Sequence, residues 1–297
     1  MISPRQELSG HLAALCAITI WGGAFVAAQV ALKAVSPTAL MFLRIIIAII
    51  VTTIIHPRPL GWQGWKTEGY YMLGGLLGIF FYYYLQNAAL TYTSASNVSV
   101  LCALAPIVTA LAAPLLLRAP RPHGLFYFGC ALAVAGSVLT VYNGTAVLQL
   151  NPRGDTLALL NAVMWGLYAI VSKKISSFGH SLIPSVRKMF IYALLFSVIL
   201  LLFQGIQVQT EALVRWDVLG SIAYLGILGS ALSYLLWNYA IKQLGSVRAT
   251  TYIYLEPLVT MAVAAAMLGD PITWIALLGA VLIIGGLFLT KLKQAGS

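Results

Sequence analysis

The sequence predicts an all-α integral membrane protein of ten transmembrane helices in two inverted-topology five-helix repeats. Three observations carry that expectation. Of 297 residues, 61% are hydrophobic and 8% charged, whereas a soluble domain is about 25% charged. Charge-free stretches at 12–32, 189–210, 218–241 and 271–290 each reach the length of about 20 residues that crosses a bilayer core of roughly 30 Å. The chain also repeats itself at a shift near 150 residues. YYYLQNAAL (Tyr82 to Leu90) lies over SYLLWNYAI (Ser233 to Ile241), sharing Tyr83/Tyr234, Leu85/Leu236, Asn87/Asn238 and Ala89/Ala240.

In chain order, the first span is 12–32. It is too long for a cleaved leader and contains Trp21, Gly22 and Gly23. The second, 37–55, opens at Pro37. The run from Gly69 to Leu117 is 49 residues without a charge, enough for spans 70–90 and 95–117 around the polar break Thr91 to Asn97. Span 124–142 ends in a turn rich in Asn, Gly and Pro, Asn143 to Arg153. The second half supplies 156–175, 182–203, 218–240, 247–268 and 272–291. Its longest loop, 204–217, carries only Glu211, Arg215 and Asp217 as charges, so no segment reads as a soluble domain. A transmembrane β-barrel would show alternation in strands of about ten residues, which these continuous runs lack.

Further pairs keep the repeat: Leu104/Leu255, Pro106/Pro257, Thr109/Thr260, Pro120/Pro271, Gly129/Gly279 and Gly136/Gly286, with Trp21-Gly22 over Trp165-Gly166. The units are residues 1–145 and 146–297. Five helices per unit is an odd number, so the second copy enters the membrane from the opposite side. Such architecture places a binding site near the midplane, where the halves meet and rock against each other. The net charge of +10 follows orientation. With the N-terminus inside, Arg5, Arg58, Lys66, Arg118, Arg121, Lys173, Lys174, Lys242, Lys291 and Lys293 lie on the inner side, against Lys33, Arg153 and Arg215 outside. That asymmetry puts both termini in the cytoplasm of a multi-pass inner-membrane protein and marks no nucleic-acid site.

The WG pair in the first helix of each half, the L-x-P-x-V-T patches ending at Thr109 and Thr260, and the glycines of the fifth and tenth helices together resemble the drug/metabolite transporter superfamily. The resemblance is to its EamA-type branch, ten helices in two copies of one domain, over roughly residues 10–290. It implies movement of small metabolites across a cytoplasmic membrane, with amino acids, nucleobases and cationic drugs among the substrates. One departure is local: the family commonly has an acidic residue before the helix that follows each patch, and only the second copy does, at Asp270-Pro271. The first has Arg118-Ala119-Pro120.

Candidate functional residues follow from depth. Pro106 and Pro257 sit about eleven residues into their spans, roughly 16 Å, where proline removes an N–H and kinks the helix; they are candidate hinges. Glu256 is the only acidic residue deep in a predicted span. A carboxylate there costs about 2.5–3.5 kcal/mol, so it is a proton-coupling group, a counter-ion for a substrate amine, or half of a structural ion pair. Arg44, about 10 Å into its helix, offers a cation to a substrate carboxylate; Arg187 and Lys188 are weaker candidates nearer a helix end. Trp21, Trp165, Tyr83, Tyr234, Trp237 and Tyr252 lie too deep for an interfacial belt. With Asn87 and Asn238, they form a candidate substrate-binding set, the competing reading being helix packing.

The expected function is secondary transport, in the export direction and by alternating access, of an amino acid or similar zwitterion. Efflux of hydrophobic cations is the second reading, and a non-transporting scaffold or lipid-handling protein a third. No Walker A, HExxH or GxSxG sequence occurs and no CxxC links the three cysteines. The reading therefore expects no enzyme, cofactor, metal or nucleic acid, and takes the substrate, the lipid bilayer and a possible coupling proton as partners.

Overall fold

Small residues line the helix contacts and large apolar ones face outward. The buried face of the first helix is built largely from Gly10, Ala13, Ala14, Ala17, Ala24 and Ala28, while Leu115, Leu202, Phe203 and Phe288 are exposed. Lipid tails are as apolar as leucine, so helices associate through close packing of small side chains and leave bulky ones to the bilayer. The computed structural model describes residues 3–142, 151–205, 207–268 and 272–291. Pro271, Asp270 and most of the turn between the halves lie outside the described residues.

Helix α1 spans Pro4–Ala31 and starts earlier than its apolar run because a capping box fixes it: Ser3 Oγ accepts from Gln6 N, and the Gln6 side chain accepts from Ser3 N. Helix α2 is Pro37–Ile55, capped by Ser36. Helix α3 runs over 65–89, with a π-helical turn at Leu76–Phe81 between Trp65–Gly75 and Tyr82–Ala89. Helix α4 covers Ala95–Cys102 and Ala105–Leu116, and α5 is Gly124–Tyr142. In the second half, α6 is Pro152–Ser176, its first amides held by Asn151 Oδ1, and α7 is Leu182–Gln204. Helix α8 runs over 216–244 through a π turn at Ile227–Leu232. Helix α9 joins Ser246–Thr250, a 3-10 stretch Thr251–Leu255 and Glu256–Leu268; α10 is Trp274–Lys291.

Six stretches among the described residues are long and apolar enough to cross a membrane: Pro4–Ala31, Pro37–Ile55, Asn97–Leu116, Pro152–Ser176, Leu182–Gln204 and Trp216–Leu244. Gly124–Thr140 and Trp274–Thr290 are shorter apolar helices. The chain is a multi-pass membrane protein.

The irregularities recur with the repeat. Leu76 and Ile227 open the two π turns, 151 positions apart, as Pro106 and Pro257 are. The prolines do not kink continuous helices, as the sequence suggested. Helix α4 stops at Cys102 and restarts at Ala105, and α9 passes through a 3-10 stretch before Glu256. Each proline is therefore the second residue of a fresh α-helical segment, where its missing N–H is not needed.

The repeated motifs meet across the halves. Thr109 Oγ1 of α4 donates to Gly166 O of α6 at 3.2 Å, and Thr260 Oγ1 of α9 donates to Gly22 O of α1 at 3.0 Å. Helices α5 and α10 run antiparallel: Gly129 abuts the Gly286 carbonyl, and Gly136 abuts that of Gly279. A Cβ on Gly136 would sit 2.6 Å from Gly279 O. Gly136→Ala is expected to cost about 1–3 kcal/mol through overpacking, read as a lower thermal midpoint in detergent. Gly220→Ala, with nothing within 4 Å of its Cβ position, should stay within about 0.5 kcal/mol.

Loops close the two ends. At the end opposite the N-terminus, Val35 bridges Val208, and Gln209 N donates to Ala34 O at 2.8 Å. At the N-terminal end, Arg187 Nη1 donates to His56 O at 2.6 Å and Lys188 ion-pairs with buried Glu68.

Candidate functional site

The π turn of α8 exposes backbone acceptors and sets a polar side chain beside them. A π turn shifts the hydrogen-bond ladder by one residue, and Ser230 Oγ donates to Leu225 O, five residues earlier, at 2.7 Å. Ser230 in turn accepts from Tyr83 Oη of α3 at 2.7 Å and from Arg44 Nε of α2 at 3.3 Å. The Arg44 guanidinium lies 3.8 Å from the centre of the Tyr83 ring, a cation–π arrangement. Its Nη1 reaches Gln86 Oε1 at 3.4 Å, and Gln86 Nε2 reaches Tyr82 Oη at 3.4 Å. Arg44 is 2% exposed, yet among the described residues no carboxylate forms an ion pair with it. Its hydrogen bonds to Ser230 and Gln86 are long, and a guanidinium has five N–H donors, so it retains capacity for an anion.

Aromatic rings fill the space beside Arg44. Trp21 meets Trp165 at 5.0 Å, Trp237 at 5.2 Å and Tyr234 at 5.8 Å, in edge-to-face arrangements. Trp165 also meets Tyr82 at 4.4 Å and Tyr168 at 5.0 Å. Trp21 Nε1 donates to Gly229 O at 2.9 Å, and Tyr234 Oη donates to Gly78 O. Those two carbonyls are equivalent residues of the two π turns. The rings pack against one another at this level. Trp237 Nε1 is buried without a partner.

Glu256 opens the second α-helical segment of α9 and is 3% exposed. The helix start favours negative charge. Among the described residues no hydrogen bond or ion pair reaches its carboxylate; it interacts electrostatically with Tyr82 and Cys102. Arg44 acts on Tyr82 as well, which places that phenol within reach of both groups. Cys102 Sγ accepts from Asn161 Nδ2 at 3.3 Å, and Asn161 Oδ1 is buried without a partner.

The structure thus brings together Trp21, Arg44, Tyr83, Trp165, Tyr234 and Trp237, while Glu256 reaches their edge through Tyr82. Three other candidates are engaged elsewhere. Asn87 Nδ2 donates to Pro37 O at 3.1 Å. Asn238 is saturated by Tyr168, Ser172 and the Tyr234 carbonyl. Tyr252 bonds His11 at 2.6 Å near the N-terminal end. Arg187 and Lys188 anchor the 56–61 loop through His56, Arg58 and Gly61 carbonyls. Pro106 and Pro257 sit at the helix discontinuities of α4 and α9.

Sequence reasoning passed over Gln86 and Asn161, placed Tyr82 only within the deep aromatic set, and took Ser230 only as a small residue for close helix packing. Spacing carried a usable signal, since Gln86 follows Tyr82, and Trp165 follows Asn161, by one helical turn. It also left Glu68 in a loop by starting the third span at 70; the buried Lys188–Glu68 pair, with Tyr192 donating to the same carboxylate, was missed for that reason.

A bundle of long apolar helices enclosing buried ionisable side chains defines an integral membrane protein. The sequence profile of the EamA-like transporter family matches residues 8–142 and again 152–292. The chain belongs to that family. An "Uncharacterized transporter" of Archaeoglobus fulgidus is 27% identical over 296 residues, covering 96% of this chain and 98% of its own. A "Probable amino-acid metabolite efflux pump" of Escherichia coli is 28% identical, covering 93% and 92%. A "Probable terminal-alkyne amino-acid exporter" of Streptantibioticus cattleyicolor is 27% identical, covering 94% and 92%. One solved crystal structure superposes with a TM-score of 0.76 at 18% identity, over 96% of this chain and 98% of that one, and shares the fold.

Proposed function

We propose that the protein is a secondary transporter exporting a small zwitterion, an amino acid or a close relative, across the cytoplasmic membrane. The observation that carries this reading is a buried guanidinium and a buried carboxyl group, Arg44 and Glu256, both within electrostatic reach of Tyr82 in an aromatic cluster and neither holding an ion-pair partner among the described residues. A substrate carboxylate fits Arg44 and its ammonium fits Glu256, with Asn161 Oδ1 as a further acceptor. The names of two relatives support the same substrate class. In this reading, residues 1–145 and 146–297 are inverted five-helix repeats with both termini cytoplasmic. The exchanged Thr109–Gly166 and Thr260–Gly22 bonds and the antiparallel α5–α10 contact support it, as does the pairing expected about an in-plane axis.

The test is counterflow into proteoliposomes, using labelled amino acids against their amide and decarboxylated analogues. Free amino acids should exchange at least tenfold faster than either analogue; equal exchange of all three contradicts the assignment. A second reading, efflux of hydrophobic cations, is favoured by the Tyr82 ring, which lies against Trp165 and within electrostatic reach of Glu256. A quaternary ammonium dye separates the two. A proton is the candidate coupling ion, with Glu256 as its carrier.

Alternating access also assigns a role to the interrupted helices. Pro257→Ala is expected to slow transport several-fold while leaving the amount of protein in the membrane unchanged, because a regular helix at 251–257 resists bending. Transport and membrane protein amount are measured on the same cells. Equal loss of both would mean that Pro257 serves folding only.

A further inference from the structure

A cavity of about 740 Å³ opens at the N-terminal end of the bundle, away from the aromatic site. Its wall joins the α4–α5 loop of the first half to the ends of α6 and α8 and the start of α9 in the second. Arg121, Lys173, Lys174, Arg248 and His123 line it, and among the described residues no carboxylate does. Lys173 Nζ is fixed on the wall by the Lys242 carbonyl at 3.1 Å. Arg248 is shared with Glu7, 3.4 Å away on α1. Arg121 and Lys174 form no ion pair among the described residues, and both are exposed. Between the cations the wall is apolar: Leu117, Pro120, Leu244 and Val247. Leu115 and Leu116, immediately before Leu117 in the chain, are exposed at 76% and 63%.

We infer that this cavity is a binding site for an anionic phospholipid, which would bridge the two halves at one end. The cations of the lining supply the headgroup contact. Apolar walls continuous with exposed leucines take the first methylenes of the acyl chains. A soluble anion would use the cations and leave the apolar wall wet. Basic pockets between transmembrane helices hold lipid headgroups in this way, and cations near an anionic membrane surface each contribute about 1 kcal/mol, or about fivefold in affinity. An excess of cations at this end of the bundle would orient the protein without forming a cavity, so the inference rests on the enclosure and its mixed lining.

The experiment is native mass spectrometry of the full chain in detergent with added phosphatidylglycerol, phosphatidylcholine or sn-glycerol 1-phosphate. The parent is expected to retain phosphatidylglycerol at least tenfold more than phosphatidylcholine. The double variant Arg121→Gln/Lys174→Gln should weaken that retention about 25-fold. The double variant Arg58→Gln/Lys66→Gln, cations of the same end outside the cavity lining, should leave it unchanged. Three results would overturn the site: no preference between the two lipids, equal weakening by both double variants, or glycerol phosphate displacing the lipid at comparable concentration. The last identifies a free-anion site. Thermal unfolding of each variant without lipid separates loss of the site from loss of the fold.

Discussion

Transport of an amino acid by the Arg44→Gln variant is expected to fall by roughly two orders of magnitude, while a permanent hydrophobic cation is carried at the parental rate. Arg44 is buried among Tyr83, Ser230 and Gln86, and no described carboxylate compensates it. Removing one partner of a desolvated charge pair costs about 2–5 kcal/mol, and each 1.4 kcal/mol is tenfold, so the effect on transport efficiency is roughly 30- to 3,000-fold. Glutamine retains an amide for Ser230, and the bonds lost in the resting protein are long, at 3.3 and 3.4 Å. The fold should therefore persist, which thermal unfolding checks. Undiminished amino-acid transport would remove Arg44 from the substrate site. Equal loss of amino-acid and cation transport would make it a packing residue.

Glu256→Gln is expected to reduce transport of both substrate classes by a comparable factor, because each presents a cation to the carboxylate. The titratable groups near this one are few among the described residues. Tyr82 and Cys102, both neutral, lie within its electrostatic reach, and Arg44 acts on Tyr82. Glutamine preserves shape and hydrogen bonding but neither binds an ammonium by charge nor carries a proton. Transport measured across pH then divides the roles. A substrate contact predicts lower efficiency at every pH, and a coupling role adds loss of the pH dependence. Parental efficiency and an unchanged profile would together exclude both, leaving Glu256 a structural acid at a helix start.

Much of the fold was legible because the membrane imposes length and composition on each helix. The charge-free runs and the repeated Tyr83/Tyr234 and Pro106/Pro257 pairs were enough to expect the helices that the described residues show. Helix starts were less legible. Ser3 and Asn151 fix α1 and α6 through caps that lie outside the apolar runs, and α3 begins at Trp65, which carries Glu68 into a buried ion pair. The site was readable only in part. Arg44, Trp21, Trp165, Tyr83, Tyr234 and Trp237, singled out by depth and duplication, are the candidates that lie together. Depth does not tell which way a side chain faces, and Asn87, Asn238 and Tyr252, at plausible depths, are used to join helices. The π turns were invisible because no residue type marks them; only their tenants, Gly78, Gly229 and Ser230, show where the ladder slips.

The central claim is that two copies of one five-helix unit sit in the membrane with opposite senses. Thr91 and Lys242 are equivalent under the repeat, and both are exposed at opposite ends of the bundle. Single cysteines placed at each, after replacing Cys16, Cys102 and Cys130, can be labelled in intact cells with a membrane-impermeant maleimide. Thr91→Cys should react from outside, and Lys242→Cys only after the membrane is opened. Reaction of both from the same face would contradict the inverted arrangement, and with it the alternating-access transporter proposed above.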